Sequence, residues 1–283
     1  MKVAQLTRRD PRYPALLAAI HDPPKALFVR GESDVALLSA PAVAIVGARA
    51  CSSYGRSVAR SLARELAAAG LVVVSGMARG IDGEAHRGAL DADARTCAVL
   101  GCGIDCDYPA AHAELARRIC ERGLIVSEYE AGVEPAPWRF PARNRIIAGL
   151  CRATVVVEAR ARSGALITAD FALEEGREVL ATPGEITSAL SSGTNALIRL
   201  GATPVTCDDD VLEVFGLERR ARHEVDVGVT AKALLSVLRD GSLSADELVR
   251  ASRIDPADAS AALIELELAQ LVAQEDGVYH ARV

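Results

Sequence analysis

Lysine and aromatic side chains are scarce in this sequence. Only three of its 32 basic residues are lysine, and aromatic residues make up 4% of the 283 positions. The formal net charge is −6, so overall electrostatics do not indicate a nucleic-acid binder, and any such site must depend on local charge. The sequence contains no run of 18 apolar residues and no basic, apolar amino-terminal signal. These absences predict a cytoplasmic chain without a membrane segment.

Motifs of metal binding and of several enzyme classes are also missing. The seven cysteines form no C-x-x-C pair, and no H-E-x-x-H, G-x-S-x-G or Walker A sequence occurs. We therefore expect reduced, partly buried thiols and neither a metal site, nor a nucleophilic serine, nor ATP hydrolysis. Asp82 and His86 stand four residues apart on a predicted helix. A structural hydrogen bond between these neighbours is favoured over an acid–base pair.

The stretch from Val43 to Asp82 organises the chain. Two short runs of β-branched residues, 43–46 and 71–74, each break into a glycine turn that carries an arginine. A helix over about 55–69 joins them, with an apolar stripe at intervals of four residues. This pattern predicts a βαβ unit whose glycine turns meet at the carboxyl edge of a parallel sheet. Because backbone N–H groups, helix N-termini and the arginines favour an anion there, the predicted ligand is a phosphate.

The same alternation continues along the chain and predicts an extended Rossmann-like α/β domain over residues 1–216. Seven strands alternating with helices favour a doubly wound, mostly parallel sheet, with residues 1–40 as a lead-in packed on its edge. Residues 217–229 are charged and lack apolar periodicity, which predicts a linker. Residues 230–283 are typical of a small winged-helix-like domain with three helices and a hairpin.

The carboxyl-terminal segment is acidic for a winged helix. Residues 229–283 carry nine acids and five bases, and the third predicted helix has Glu265 and Glu267 but no basic residue. A helix that enters the major groove needs phosphate-neutralising charge around it. We therefore predict that this domain contacts protein, or the rest of its own chain, more than duplex DNA.

Basic charge is concentrated between Trp138 and Thr168. This segment holds six arginines and one acid, with Trp138 and Phe140 beside them. A charge run is commonly a solvated helix face, but this one lies between strand ends that already carry phosphate-type turns. Arginines beside aromatic faces are what a single-stranded nucleic acid requires. For Trp138 the sequence leaves two interpretations open, a base-stacking surface and a loop anchor packed on the core.

A dinucleotide site is disfavoured. The first turn, from Gly47 to Gly55, lacks the G-x-G-x-x-G spacing, and the second strand ends at Ser75-Gly76 instead of in the acid that would hold a ribose. No nicotinamide or flavin cofactor is predicted.

Several blocks of the sequence occur in a recognisable order. They are Val-Ala-Ile-Val-Gly-Ala-Arg49, Ser75-Gly-Met-Ala-Arg-Gly-Ile-Asp82, Val99-Leu-Gly-Cys-Gly-Ile-Asp105, Phe140-Pro-Ala-Arg-Asn-Arg-Ile-Ile, Val155-Val-Val-Glu158, Arg162-Ser-Gly-Ala-Leu-Ile-Thr168 and Pro183-Gly184. Together they resemble the DNA-processing protein A family (DprA, also called Smf) over about residues 7–212. The resemblance implies an extended Rossmann domain that binds single-stranded DNA, usually as a homodimer, and loads the RecA recombinase onto it during natural transformation. It implies no enzymatic activity.

The predicted single-stranded DNA site combines the glycine turns with the residues that match the family. Arg49 is expected to hold a phosphate, Gly47 and Gly76 to allow close backbone approach, and Phe140 to stack on a base. The Arg-Asn-Arg and Ser-Gly-x-Leu-Ile-Thr blocks are expected to line the same pocket. The complete set is Gly47, Arg49, Gly76, Arg79, Phe140, Arg143, Asn144, Ser163, Gly164 and Thr168.

Two alternatives remain open at this point. Nucleotide-processing enzymes of the phosphoribohydrolase type share a Rossmann core with glycine- and arginine-bearing turns, although Pro183-Gly184-Glu185 does not supply their Pro-Gly-Gly-x-Gly-Thr signature. A transcription regulator with a ligand-sensing core and a winged helix is disfavoured by the acidic carboxyl-terminal domain.

Overall fold

The computed structural model describes residues 3–217, 227–269, 271–275 and 277–281. The chain divides near residue 220 into two compact units. Most of the predicted linker, residues 218–226, lies outside the described residues. In the described part of the chain, no helix has the length and apolar character needed to cross a membrane.

Strands of the first unit form one nine-stranded sheet within residues 3–217. In chain order they are β1 (Ala4–Thr7), β2 (Ala26–Arg30), β3 (Ala42–Val46), β4 (Val72–Ser75), β5 (Thr96–Gly103), β6 (Leu124–Tyr129), β7 (Ala153–Val156), β8 (Glu178–Ala181) and β9 (Thr203–Pro204). Their order across the sheet is β1-β2-β6-β5-β4-β3-β7-β8-β9. The seven strands from β3 to β9 are parallel to their neighbours, and β2 and β1 extend the sheet antiparallel beyond β6. The predicted doubly wound, mostly parallel sheet is confirmed.

The direction of winding changes at β3. After β3 the chain adds β4, β5 and β6 on one side of this strand, and it then returns to add β7, β8 and β9 on the other side. The crevice between β3 and β7 is therefore the switch point of the sheet. Ligands of open α/β sheets bind at this position, outside the carboxyl ends of the strands.

Helices cover both faces of the sheet. In the first unit they are α1 (Ala15–Ala18), α2 (Ser53–Ala68), α3 (Ile81–Asp91), α4 (Ala113–Arg122), α5 (Arg139–Leu150), α6 (Gly164–Glu174), α7 (Ser192–Arg199) and α8 (Asp209–Phe215), with short 3-10 turns at 35–39 and 110–112. Alternate residues of β3 enter opposite cores. Val43 and Ile45 pack with α2 and α3, whereas Ala44 and Val46 pack with α5 and α6. This double burial explains why β3 is apolar throughout.

The second unit has its own core. It contains α9 (Val229–Asp240), β10 (Leu243–Ser244), α10 (Ala245–Ser252), α11 (Pro256–Leu268), β11 (Val272–Glu275) and β12 (Val278–Ala281). The predicted capping box forms, because the Ser244 hydroxyl accepts from the Glu247 N–H while the Glu247 carboxylate accepts from the Ser244 N–H. The hairpin β11–β12 is joined by β10 in a three-stranded sheet, so the predicted winged-helix architecture is confirmed.

Candidate nucleic-acid interface

A cavity of about 340 Å³ lies at the switch point, beyond the ends of β3 and β7. It brings together eight of the ten predicted site residues, namely Gly47, Arg49, Phe140, Arg143, Asn144, Ser163, Gly164 and Thr168. Gly76 and Arg79 do not line it. Arg79 is exposed in the turn between β4 and α3, while Gly76 lies beneath the cavity in contact with Arg143.

Arg49 is the exposed cation of the first glycine turn. In the described part of the chain no acidic side chain forms an ion pair with it. Its guanidinium carbon lies 5.4 Å from the centroid of the Phe140 ring, which in turn stacks on Tyr108 at 5.2 Å with an interplanar angle of 29°. Aromatic stacking and cation–π attraction thus hold a positive charge and an aromatic ring side by side at the cavity mouth.

Arg143 has a structural role beneath this mouth. Its side chain is buried, and Nη1 donates to the carbonyl oxygen of Gly76 at 2.8 Å and also to that of Val99. These bonds tie the turn after β4 to the middle of β5. Burial lowers the pKa of the guanidinium to about 10, and the charge of Arg49 acts in the same direction while Asp82 opposes both.

The contact between Gly76 and Arg143 changes the interpretation of the second glycine turn. A Cβ atom at Gly76 would lie 2.6 Å from Nη2 of Arg143. The space above this glycine is therefore filled by the protein's own guanidinium. This guanidinium leaves no room for the close approach of a phosphate that was predicted at Gly76. The sequence could not show this, because it does not reveal that a side chain from α5 reaches this glycine.

The positive end of α2 is also occupied by the protein itself. Ser52 caps this helix, and the Glu158 carboxylate accepts hydrogen bonds from the Ser52 N–H at 2.9 Å and from its hydroxyl at 2.5 Å. Glu158 is 4% exposed and packs against Gly55, where a Cβ atom would collide with it. The expectation that the helix after the first turn offers its N-terminus to an external anion is therefore wrong, since a native carboxylate already satisfies it.

The N-terminus of α6 is open by contrast. Ser163 caps the helix by accepting from the Ala165 N–H at 3.3 Å, and a side chain at exposed Gly164 would meet nothing within 4 Å. The Asn144 side chain donates to the Gly164 carbonyl at 3.1 Å and so fixes this turn against α5. Thr168, one turn further along α6, is buried at the cavity wall.

Two further arginines, Arg160 and Arg162, line the cavity beside this helix end and are exposed. They belong to the basic segment recognised in the sequence but were not among the predicted site residues. Their position after β7, at the same sheet edge as Arg49, was the signal that could have identified them. The described cavity lining carries four arginines and a single carboxyl group, Asp82.

Asp82 and His86 do not form the predicted hydrogen bond. Asp82 accepts from the Ala78 N–H at 3.4 Å, and its burial raises the pKa of its carboxyl against the opposing charge of Arg143. His86 is fully buried, with Nδ1 lying 2.7 Å from the hydroxyl of Thr96. Asp82 is therefore a buried carboxyl group at the cavity wall, whereas His86 does not line the cavity and belongs to the packing beneath it. Among the described residues, no cluster of three potential metal ligands occurs.

Comparisons with known proteins agree with this architecture. The family model for DNA recombination-mediator protein A matches residues 4–216, and the DprA winged helix domain matches residues 220–278. DNA processing protein DprA of Streptococcus pneumoniae is 48% identical over 210 residues, covering 73% of this chain and 72% of the relative. Protein Smf of Escherichia coli is 40% identical over 279 residues, covering 94% and 74%.

Solved structures show the same relationship. The crystal structure of DprA from S. pneumoniae has a TM-score of 0.72 and 46% identity, over 75% of this chain and 74% of the other. DNA processing protein A from Helicobacter pylori, described with a single-stranded DNA binding mode, has a TM-score of 0.68 and 31% identity, over 76% and 96%. The chain therefore belongs to the DNA recombination-mediator protein A family, whose members are also named DprA or Smf.

Proposed function

We propose that this chain binds single-stranded DNA in the cavity at the switch point of its sheet. The observation that carries the proposal is a set of exposed arginines beside an aromatic ring: Arg49 lies next to Phe140, and Arg160 and Arg162 line the same cavity. Within the ranges that the structure describes, no acidic side chain forms an ion pair with these three arginines. Arginines bind phosphate oxygens through their planar set of N–H donors. The relative from H. pylori, described with a single-stranded DNA binding mode, supports the assignment.

The aromatic ring favours a single strand over a duplex. An unpaired base presents its face to a ring such as Phe140, whereas the faces of paired bases are covered by their neighbours in the stack. The open N-terminus of α6 adds backbone N–H donors to the three exposed arginines, so the cavity offers several phosphate contacts. The strand therefore binds with its phosphates toward the arginines and a base toward Phe140.

We include no catalytic step in this function. A phosphoribohydrolase would need a carboxylate free to act on its nucleotide, but Glu158 is engaged by Ser52 and Asp82 is buried against Arg143. The nucleotide-processing alternative makes a distinct prediction, because it requires base release from a nucleoside monophosphate.

Two assays decide between these functions. Fluorescence anisotropy of a labelled oligo-dT, titrated beside a duplex of equal length, is expected to give much tighter binding of the single strand and a steep loss of affinity with salt. Chromatographic analysis of nucleoside monophosphates after incubation with the protein is expected to give no free base. If neither nucleic acid binds and free base is released, single-strand binding is refuted and the nucleotide-processing enzyme becomes the favoured function.

Recombinase loading and self-association complete the proposal, and they rest on family membership. We propose that the DNA-bound protein is a homodimer that loads RecA onto single strands during natural transformation and recombination. Exposed apolar side chains near the β8–β9 edge, among them Ile186 at 96% and Leu200 at 82% exposure, fit contact with a second copy. Sedimentation equilibrium tests the dimer, and RecA filament formation on strands coated with single-strand-binding protein tests the loading.

A further inference from the structure

The end of β6 and the start of α5 carry a second cluster of aromatic and cationic side chains. The guanidinium carbon of Arg139 lies 5.0 Å from the centroid of the Tyr129 ring and 4.8 Å from that of the Trp138 ring. Arg139 also donates to the backbone carbonyl of Glu134, which fixes the loop before α5. We call Tyr129, Trp138 and Arg139 the β6 cluster.

Trp138 does not anchor this loop in the core. It is 62% exposed, although tryptophan is among the most costly side chains to leave in water. It belongs to none of the hydrophobic clusters formed by the described residues. Its exposure argues against the core-anchor interpretation left open by the sequence and places the indole at the surface beside the charge of Arg139.

The β6 cluster continues the line of groups that starts in the cavity. Arg160 follows β7, Arg49 follows β3, Phe140 packs over Gly101 in β5, and Tyr129 is the last residue of β6. These strands occur in the order β6-β5-β4-β3-β7. Four intervals of about 4.8 Å give a track of about 19 Å along the carboxyl edge of the sheet. Arginines lie at the β7 and β3 end of this track and aromatic rings at the β5 and β6 end, where Arg139 adds a further cation. Proteins that bind single strands without sequence preference combine cations and aromatic rings in the same way.

We propose that Trp138 is a second base-stacking residue, which receives a nucleotide of the single strand where it leaves the cavity on the β6 side. Arg139 holds the indole in orientation from within the cluster. The inference rests on the proposed function, because it extends the path of the same ligand. It adds a residue beyond Phe140 and predicts that strands long enough to reach β6 gain affinity through their bases.

The chain offers an intrinsic probe for this contact, since Trp138 is its single tryptophan. Stacking of a base on the indole quenches its fluorescence. The titration uses unmodified full-length protein with a (dT)12 oligonucleotide and with a 12-mer of the same backbone in which every base is absent. Binding of each is followed in parallel by anisotropy of an end label, so that fluorescence is compared at equal saturation.

We expect (dT)12 to quench most of the tryptophan emission and the abasic strand to quench little at the same saturation. Trp138→Leu is expected to weaken (dT)12 binding roughly five- to tenfold, within the range for removal of one base-stacking ring, and to leave abasic binding unchanged. Trp138→Phe retains an aromatic face and is expected to restore most of the affinity. Because Trp138 is exposed, neither variant disturbs a core.

The outcomes separate this inference from the function on which it depends. If (dT)12 binds by anisotropy without quenching, or if Trp138→Leu binds as tightly as the unmodified protein, the second stacking residue is refuted while single-strand binding stands. Equal quenching by the abasic strand also refutes it, since the signal then reports no base. If neither strand binds, the proposed function itself fails.

Discussion

Replacing Arg49 by alanine removes one exposed cation from the cavity without removing packed atoms from a core. Arg49 is exposed, lies 5.4 Å from the Phe140 ring and has no ion-pair partner in the described part of the chain. The substitution should therefore leave folding unchanged and act on the ligand. This separation makes it the sharpest single test of the cavity.

The expected magnitude follows from the contacts that are lost. A charge-assisted hydrogen bond to a phosphate contributes about 1.5 kcal/mol at an exposed position, and the contact that orients Phe140 adds about 0.5 kcal/mol. The sum of about 2 kcal/mol corresponds to a loss of roughly 30-fold in affinity at low salt. The slope of log K against log salt should become shallower by about 0.7, the value for one phosphate on a single strand.

Fluorescence anisotropy over a salt series measures both quantities. Arg117→Ala is the matched control, because Arg117 is also exposed and carries the same charge, but it pairs with Glu114 and Glu121 on α4 and does not line the cavity. An Arg49→Ala protein with the affinity and salt slope of the Arg117→Ala control would refute the assignment of Arg49 to a phosphate. If both variants lost affinity equally, the loss would be explained by the change in net charge and not by the position of Arg49.

The structure makes three further predictions. Gly76→Ala should lower the free energy of unfolding by roughly 2–4 kcal/mol, because the added methyl group displaces Arg143 from its carbonyl acceptors; Gly164→Ala, where a methyl group meets nothing within 4 Å, should stay within about 0.5 kcal/mol in the same denaturant titration. Burial lowers the pKa of His86 to about 3, below its unfolded value of about 6.5, so neutral His86 stabilises the fold above pH 6.5 and this contribution declines as pH falls from 6.5 toward 3. Relative to wild type, His86→Gln should therefore become more stable by about 1 kcal/mol for each unit by which the pH falls within that window. Stability curves of the two proteins that run parallel with pH would contradict this. A chain ending at residue 217 should retain single-strand affinity within about twofold by anisotropy, because the winged-helix unit has a separate core and carries excess acid; a tenfold loss would assign DNA contacts to that unit.

The sheet was predictable because its central strands are continuous apolar runs that end in glycine turns. The strand β3 appears where the sequence indicates it, and α2 begins at Ser53 and ends at Ala68, within two residues of the predicted helix. The edge strand β1 was not predicted, because only Leu6 of its four residues is buried and its apolar pattern is too short to detect.

The cavity lining was largely predictable for a related reason. The carboxyl ends of parallel strands meet at one edge, so residues that follow β3 and β7 must lie near one another. What occupies the space between the turns was not predictable. Glu158 reaches Ser52 across 106 positions, and Arg143 reaches Gly76 across 67. Such contacts depend on tertiary packing, which local patterns do not contain, and they convert two apparent anion sites into internal bonds.

Photochemical cross-linking tests most directly where the strand lies. An oligo-dT with 5-iodouracil at successive positions is bound to the full-length protein, irradiated, and mapped by peptide mass spectrometry. The account predicts cross-links in the peptide that contains Phe140, at the mouth of the arginine-lined cavity, and their loss in the presence of excess unlabelled oligo-dT. Cross-links confined to the winged-helix unit, with none at the carboxyl edge of the large sheet, would contradict it.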